Sequence, residues 1–184
     1  MFDSDVLLDA CVLIPMALCD ALLRAAAASL YRPRWSEDIL VEVRRNLVEN
    51  GLTDDRGAQN RISAMRQAFP DASVEIDRNL LGRIHVDPKD RHVVAAAIAG
   101  KARTIVTLNL RHFPEHALAP YGIEAQSPND FLLGLDDFAP STMTDVLQRQ
   151  AADLRNPPVP LDQLLDSLSR HAPSFAERMR THPR

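Results

Sequence analysis

Apolar positions along the chain fall into short unbroken runs separated by stripes at helical spacing. Residues 6–14 (VLLDACVLI) form one such run, bounded by charge and by Pro15, and predict a buried parallel strand. Pro15 suits the first turn of a helix, which MALCDALLRAAAASL continues. Ser36 is a predicted N-cap, with Glu37 and Asp38 favourable in the first turn that follows. That helix, EDILVEVRRNLVEN, groups Ile39, Leu40, Val43 and Leu47 on one face and stops at Gly51. A polar helix over 53–69 ends at Pro70, and 73–77 (SVEID) alternates like a short strand. Asp87-Pro88-Lys89-Asp90 opens a helix that is apolar on nearly all sides and therefore buried. Residues 104–108 (TIVTL) and 123–126 predict two further strands, and Ser127-Pro128 opens another helix. Strands alternating with helices point to a doubly wound α/β sheet.

Past Phe138 the pattern changes. Pro140, Pro157, Pro158, Pro160 and Pro173 punctuate three short amphipathic stretches at 142–155, 161–170 and 174–180. The expected organisation is a main domain over 1–138 and a helical C-terminal appendage over 139–184. A length of 184 residues is enough to bury a sizeable core without staples. Cys11 and Cys19, the two cysteines, make neither a disulfide framework nor a zinc ligand set, which suits a reducing compartment. No basic leader and no apolar run of about 20 residues is present, so the expectation is a soluble, cytoplasmic protein with no membrane contact. The formal charge of −4 argues against a simple electrostatic nucleic-acid binder but not against a nuclease that meets its substrate through metal ions. Of 21 basic residues only Lys89 and Lys101 are lysines, a bias that carries little weight.

In an open α/β sheet ligands bind outside the carboxyl ends of the strands. Asp9 is the first candidate there, because an unpaired acid inside an apolar run is costly; the plain alternative is a buried Asp satisfied by backbone donors. Glu42 sits at the border of its helix's apolar face, and is equally readable as a surface residue paired with an arginine. Asp90 is either a capping-box acid three residues after Asp87 or a carboxylate aimed at the sheet's active edge. Thr107 and Asn109 end a strand; a hydroxyl and an amide there suit a water or phosphate, or simply cap a loop.

Taken together these stretches resemble the PIN-domain family. LLDACVLI supplies an aspartate in the first strand, and SEDILVEVRR a serine-capped helix carrying a glutamate. DPKDRHVVAAAIAGKARTIVTLNLRHFP supplies an aspartate before an alanine-rich helix and then a strand ending in Thr-x-Asn. The order and spacing cover residues 5 to about 130, and the DPxDRHVxAAA and VTxNL motifs resemble the VapC-like branch of bacterial toxins. The resemblance implies a three-layer α/β/α fold with a mostly parallel sheet, Mg²⁺ or Mn²⁺ as cofactor, and cleavage of single-stranded or loop RNA. It maps Asp9, Glu42 and Asp90 onto the family's metal-binding acids and gives Thr107 and Asn109 supporting places in the site. It also implies a small antitoxin and a second copy of the chain as partners. One departure stands out: Asn109 occupies a position where many members carry a fourth acid, and Asp87 reads as a cap rather than its replacement.

On this reading Asp9 and Asp90 bind the metal, Glu42 binds a second metal or orients water, and Arg44, Arg45, Arg91 and Arg111 are candidate phosphate contacts. Two rivals remain. A phosphatase forming an aspartyl-phosphate on Asp9 would want a second acid two residues on, where Cys11 stands. A catalytically weak or inactive RNA- or protein-binding module would be consistent with Asn109.

Overall fold

A computed structural model describes residues 4–154 and 159–182. Five strands form one sheet in the order β3-β2-β1-β4-β5, with every pairing parallel. They are β1 (Asp5–Leu8), β2 (Arg32–Ser36), β3 (Ser73–Val74), β4 (Thr104–Val106) and β5 (Glu124–Gln126). Helices α1 (Ala10–Leu13) and α2 (Met16–Ala27) join β1 to β2, and α3 (Glu37–Glu49) and α4 (Asp55–Ala68) join β2 to β3. Helix α5 (Arg91–Ala99) leads into β4, α6 (Glu115–Leu118) into β5, and α7 (Pro128–Phe138) leaves it. The crossovers run outward in one direction from β1 to β3 and in the other from β4 to β5. With right-handed connections this puts the helices of the two halves on opposite faces, which gives three layers.

Several start and stop signals act as the sequence predicts. Ser36 Oγ accepts the Ile39 N–H at the start of α3, and Ser127 Oγ accepts that of Asp130 at the start of α7. Gly51, just past α3, takes a φ of +64°, where a side chain would be strained.

Two elements differ from the sequence prediction. The apolar run at 6–14 is not one strand: β1 ends at Leu8, and the chain turns helical from Ala10. A continuously buried run carries no period that separates strand from helix. The second difference is β2 (RPRWS), which its charges and proline hide. Arg32 and Arg34 both hydrogen-bond Asp5 on β1, so the charges are satisfied across the sheet. Arg32 N–H points to the Ser4 carbonyl beside β1, so the next residue, Pro33, faces the β3 side. There pairing begins only at Trp35, and the donor that proline lacks is not missed.

The chain continues through α8 (Pro140–Asp153), α9 (Leu161–Ser169) and α10 (Pro173–Thr181). Arg155, Pro157 and Pro158, which fall among the predicted stretches and breaks, lie outside the described residues. Helices α8 and α9 pack on α2, and α10 on α7 and α9. Leu165, Leu168 and Phe175 belong to the same buried cluster as Leu7 and Leu8 of the sheet. Gln150 Nε2 donates to the Ala17 carbonyl at 2.9 Å, tying α8 to α2. The buried Asp136 carboxylate of α7 lies 3.3 Å from His182 Nε2 and 3.5 Å from Arg178, at the end of α10. These contacts suggest that the C-terminal helices share one cooperative core with the sheet. Phe175→Ala should therefore cost about 3–5 kcal/mol and shift the urea midpoint seen by Trp35, the sole tryptophan, which is buried on β2. An unmoved Trp35 transition would make the C-terminal helices an independent unit.

Candidate active site

The sheet order reverses between β1 and β4, so their carboxyl ends form the crevice in which open α/β sheets bind ligands. The register pairs Leu8 with Val106, which sets Asp9 beside Thr107 just beyond the strand ends. Asp9 N–H donates to the Val106 carbonyl at 3.1 Å and holds the two ends together. Asp9 is 7 % exposed and sits at the N-cap position of α1, yet its carboxylate makes no capping hydrogen bond. Its Oδ2 instead accepts the Thr107 hydroxyl at 2.7 Å and the Cys11 thiol at 3.1 Å. Thr107 Oγ1 in turn accepts the Asn109 N–H at 3.0 Å. Burial, and then the Asp9 carboxylate, push the Cys11 thiol up to about 12.

Glu42 and Asp90 reach the same region from α3 and from the start of α5. Together with Asn109 they line a cleft of about 530 Å³ whose other walls include Val41, Leu81, His92 and His112. The capping reading of Asp90 fails, because its side chain makes no cap bond. Asp87 does act as a local cap, its Oδ1 accepting the Lys89 N–H at 3.1 Å. Burial pushes the Asp90 carboxyl above the ordinary carboxylate range, and the Asp9 charge adds to this, so the two acids sense each other.

Two histidines face these acids, and the sequence reading singled out neither. His92 Nε2 lies 3.6 Å from Glu42 Oε2 and holds that carboxyl below its ordinary value. Burial pulls His92 itself down, but the Glu42 partner outweighs this and raises it. His112 Nδ1 lies 3.2 Å from Asp90 Oδ2, out of line for a hydrogen bond, so that buried oxygen has no hydrogen-bond partner. Among the described residues no three carboxylate, imidazole or thiol groups converge closely enough to form a ready-made metal cage. Glu42 and Asp90 thus share one cleft, whereas Asp9 is not among its lining residues and is linked to it through the charge that Asp90 senses. The signal for the histidines was present: each stands two residues from a candidate residue or three beyond it, in DRH and NLRH.

The four arginines expected at the rim separate. Arg45 lines the cleft. Arg44 pairs with Asp55 on α4 and borders a different groove, between α3 and α4. Arg91 Nε points to the Val86 carbonyl, and Arg111 does not line the cleft. Lys89 and Arg78 take the places at the wall instead, Arg78 in an ion pair with Asp38 at 2.8 Å.

Hard oxygen donors are what Mg²⁺ or Mn²⁺ requires, and Mg²⁺ typically uses only one or two carboxylates and keeps several waters. A buried Asp90 oxygen without a hydrogen-bond partner, electrostatically coupled to Asp9, fits that requirement.

Comparison with known proteins agrees with this architecture. Residues 1–111 match the family model described as PIN domain, and residues 128–181 match that described as VapC50 C-terminal domain. The chain is 43 % identical over 103 residues to a Mycobacterium tuberculosis protein named "Putative ribonuclease VapC50", covering 55 % of this chain and 60 % of that one. The chain thus spans less than two thirds of that relative's length. No solved structure matches, and among the described residues no helix is long and apolar enough to cross a membrane. With a five-stranded parallel sheet, Asp9 at its switch point and a family match over more than half its length, the chain belongs to the PIN-domain family.

Proposed function

We propose that the chain is a divalent-metal-dependent endoribonuclease that cleaves single-stranded or loop RNA, acting as the toxin of a toxin–antitoxin pair. The observation that carries this reading is the presence of Glu42 and Asp90 on the walls of one cleft, with Asp90 within electrostatic reach of Asp9 at the carboxyl edge of the sheet. The likeness to the VapC50 relative supports the same class.

Asp9, Asp90 and Glu42 would hold Mg²⁺ or Mn²⁺. Such an ion, when bound, offsets the charge that builds on a reacting phosphate and makes a water more acidic. The chain's own groups supply the rest. Thr107 donates a 2.7 Å hydrogen bond to Asp9 and so sets the distance of its Oδ2. Asn109, on the cleft wall, offers a neutral oxygen and an N–H pair to a water or a phosphate. Arg45 and Lys89, lining the same cleft, attract an anionic backbone, and Val41 and Leu81 give it an apolar floor. The RNA cut in this reading is single-stranded or looped.

The partners in this reading are RNA, a small antitoxin that covers the cleft, and a second copy of the chain. Val41, 56 % exposed at the cleft wall, and Leu110, 42 % exposed nearby in sequence to Asn109, give a protein partner apolar surface to bury. Induced expression should arrest growth of a bacterial host, with the antitoxin relieving it.

Asp9→Asn keeps the size of the side chain and removes one charge. It should abolish cleavage of a labelled RNA in Mn²⁺ while leaving the melting profile intact. If this variant cuts as well as wild type, the nuclease reading is wrong; wild-type RNA binding that ignores EDTA and yields no products would favour a binding module.

Arg45→Ala and Lys89→Ala should each weaken RNA binding across sequences. Each should also reduce the slope of log K against log salt by about one, as loss of a single phosphate contact does. A slope unchanged from wild type would remove those residues from the RNA path.

A further inference from the structure

Cys11 occupies a place that none of the chemistry above uses. It lies on α1, two residues past Asp9, yet it reaches across to the end of β4. Its Sγ is 3.1 Å from Asp9 Oδ2 and 3.4 Å from Thr107 Oγ1, and it accepts the Leu108 N–H at 3.2 Å. The thiol thus closes a ring of contacts with the carboxylate and the hydroxyl, and it stitches residues 96 and 97 positions apart in sequence. Both donors converge on the same carboxylate oxygen. A single hydroxyl fixes the distance of that oxygen but leaves the carboxylate free to swing about the bond; a second donor from another direction removes the swing.

We infer that Cys11 is a positioning residue, its thiol and the Thr107 hydroxyl together locking Asp9 Oδ2 so that the opposite oxygen, Oδ1, is held ready for a divalent cation. The inference rests on the metal-dependent reading of the site. It assigns Cys11 no redox or nucleophilic role: its partners are an anionic carboxylate, a hydroxyl and an N–H, with no cation among its contacts to favour a thiolate. The partners that orient a metal-binding side chain commonly matter about 10–100-fold to affinity or activity.

The test compares wild type with Cys11→Ala and Cys11→Ser in the full chain. Mn²⁺ affinity is measured by calorimetry without RNA, alongside single-turnover cleavage of a labelled RNA and RNA binding in EDTA. Cys11→Ala should weaken Mn²⁺ binding about tenfold and slow cleavage to a similar degree, with RNA affinity in EDTA unchanged. Cys11→Ser, which keeps a donor and an acceptor, should recover most of both losses. Should the alanine variant not fold, Cys11→Val, an apolar side chain without a donor, should show the same loss of Mn²⁺ affinity. The inference is overturned if the donorless variant binds Mn²⁺ within about twofold of wild type, or if serine is as damaging as alanine. Wild type that binds Mn²⁺ but cuts no RNA would count against the ribonuclease reading alone, and the calorimetric comparison would still judge Cys11. Wild type that binds no Mn²⁺ would overturn both.

Discussion

A hydrogen bond of 2.7 Å joins Thr107 to Asp9 across 98 positions of sequence, and it exists only because β1 and β4 lie side by side in one register. That adjacency is where the strand order reverses, so the carboxyl ends of two parallel strands open into the same crevice. An isolated carboxylate placed there would be expensive to bury, and its charge would tend to be lost. Donors from β4 and α1 meet part of that cost while leaving the carboxylate at the open edge of the sheet. The N-cap position of α1 adds the positive end of a short run of peptide dipoles, although no capping bond forms.

The looser placement of Glu42 and Asp90 follows from charge. Three carboxylates brought within about 4 Å of each other would repel by roughly 4 kcal/mol per pair at an effective dielectric of 20. The chain avoids this by setting an imidazole against each of the two outer acids, His92 against Glu42 and His112 against Asp90. The two acids shift in opposite directions: Glu42 is held low by its histidine, whereas for Asp90 burial outweighs its histidine.

The positions most legible in the sequence were those where one residue type has one local job. Ser36 and Ser127 cap helices, Gly51 takes a left-handed φ, and Asp87 caps a turn, because capping depends on neighbours two or three residues away. Asp9 stood out because its surroundings are apolar. Long-range partners were illegible: β2 went unpredicted because its arginines are neutralised by Asp5, 27 and 29 positions away. The same holds for Cys11, whose partners on β4 cannot be seen from its own stretch, and for His92 and His112, whose meaning depends on which helix faces which. Arg44 and Arg45 show the limit most clearly. Neighbours in sequence on α3, they project into different grooves, one toward Asp55 and one toward the cleft.

Asn109 bears on how a chain with a formal charge of −4 would meet a polyanion. The cleft wall carries Asp38, Glu42 and Asp90 against Arg45, Arg78 and Lys89, with two histidines besides. An acid at position 109 would tip that wall negative. An amide leaves the wall balanced before any cation binds, which lowers the repulsion an incoming phosphate must overcome at short range. On the metal-dependent reading, the same change would withdraw one anionic ligand and weaken the hold on the metal. On that reading the two effects oppose each other at this position. Tight positioning of the remaining acids then matters more, and the doubly held oxygen of Asp9 meets that need.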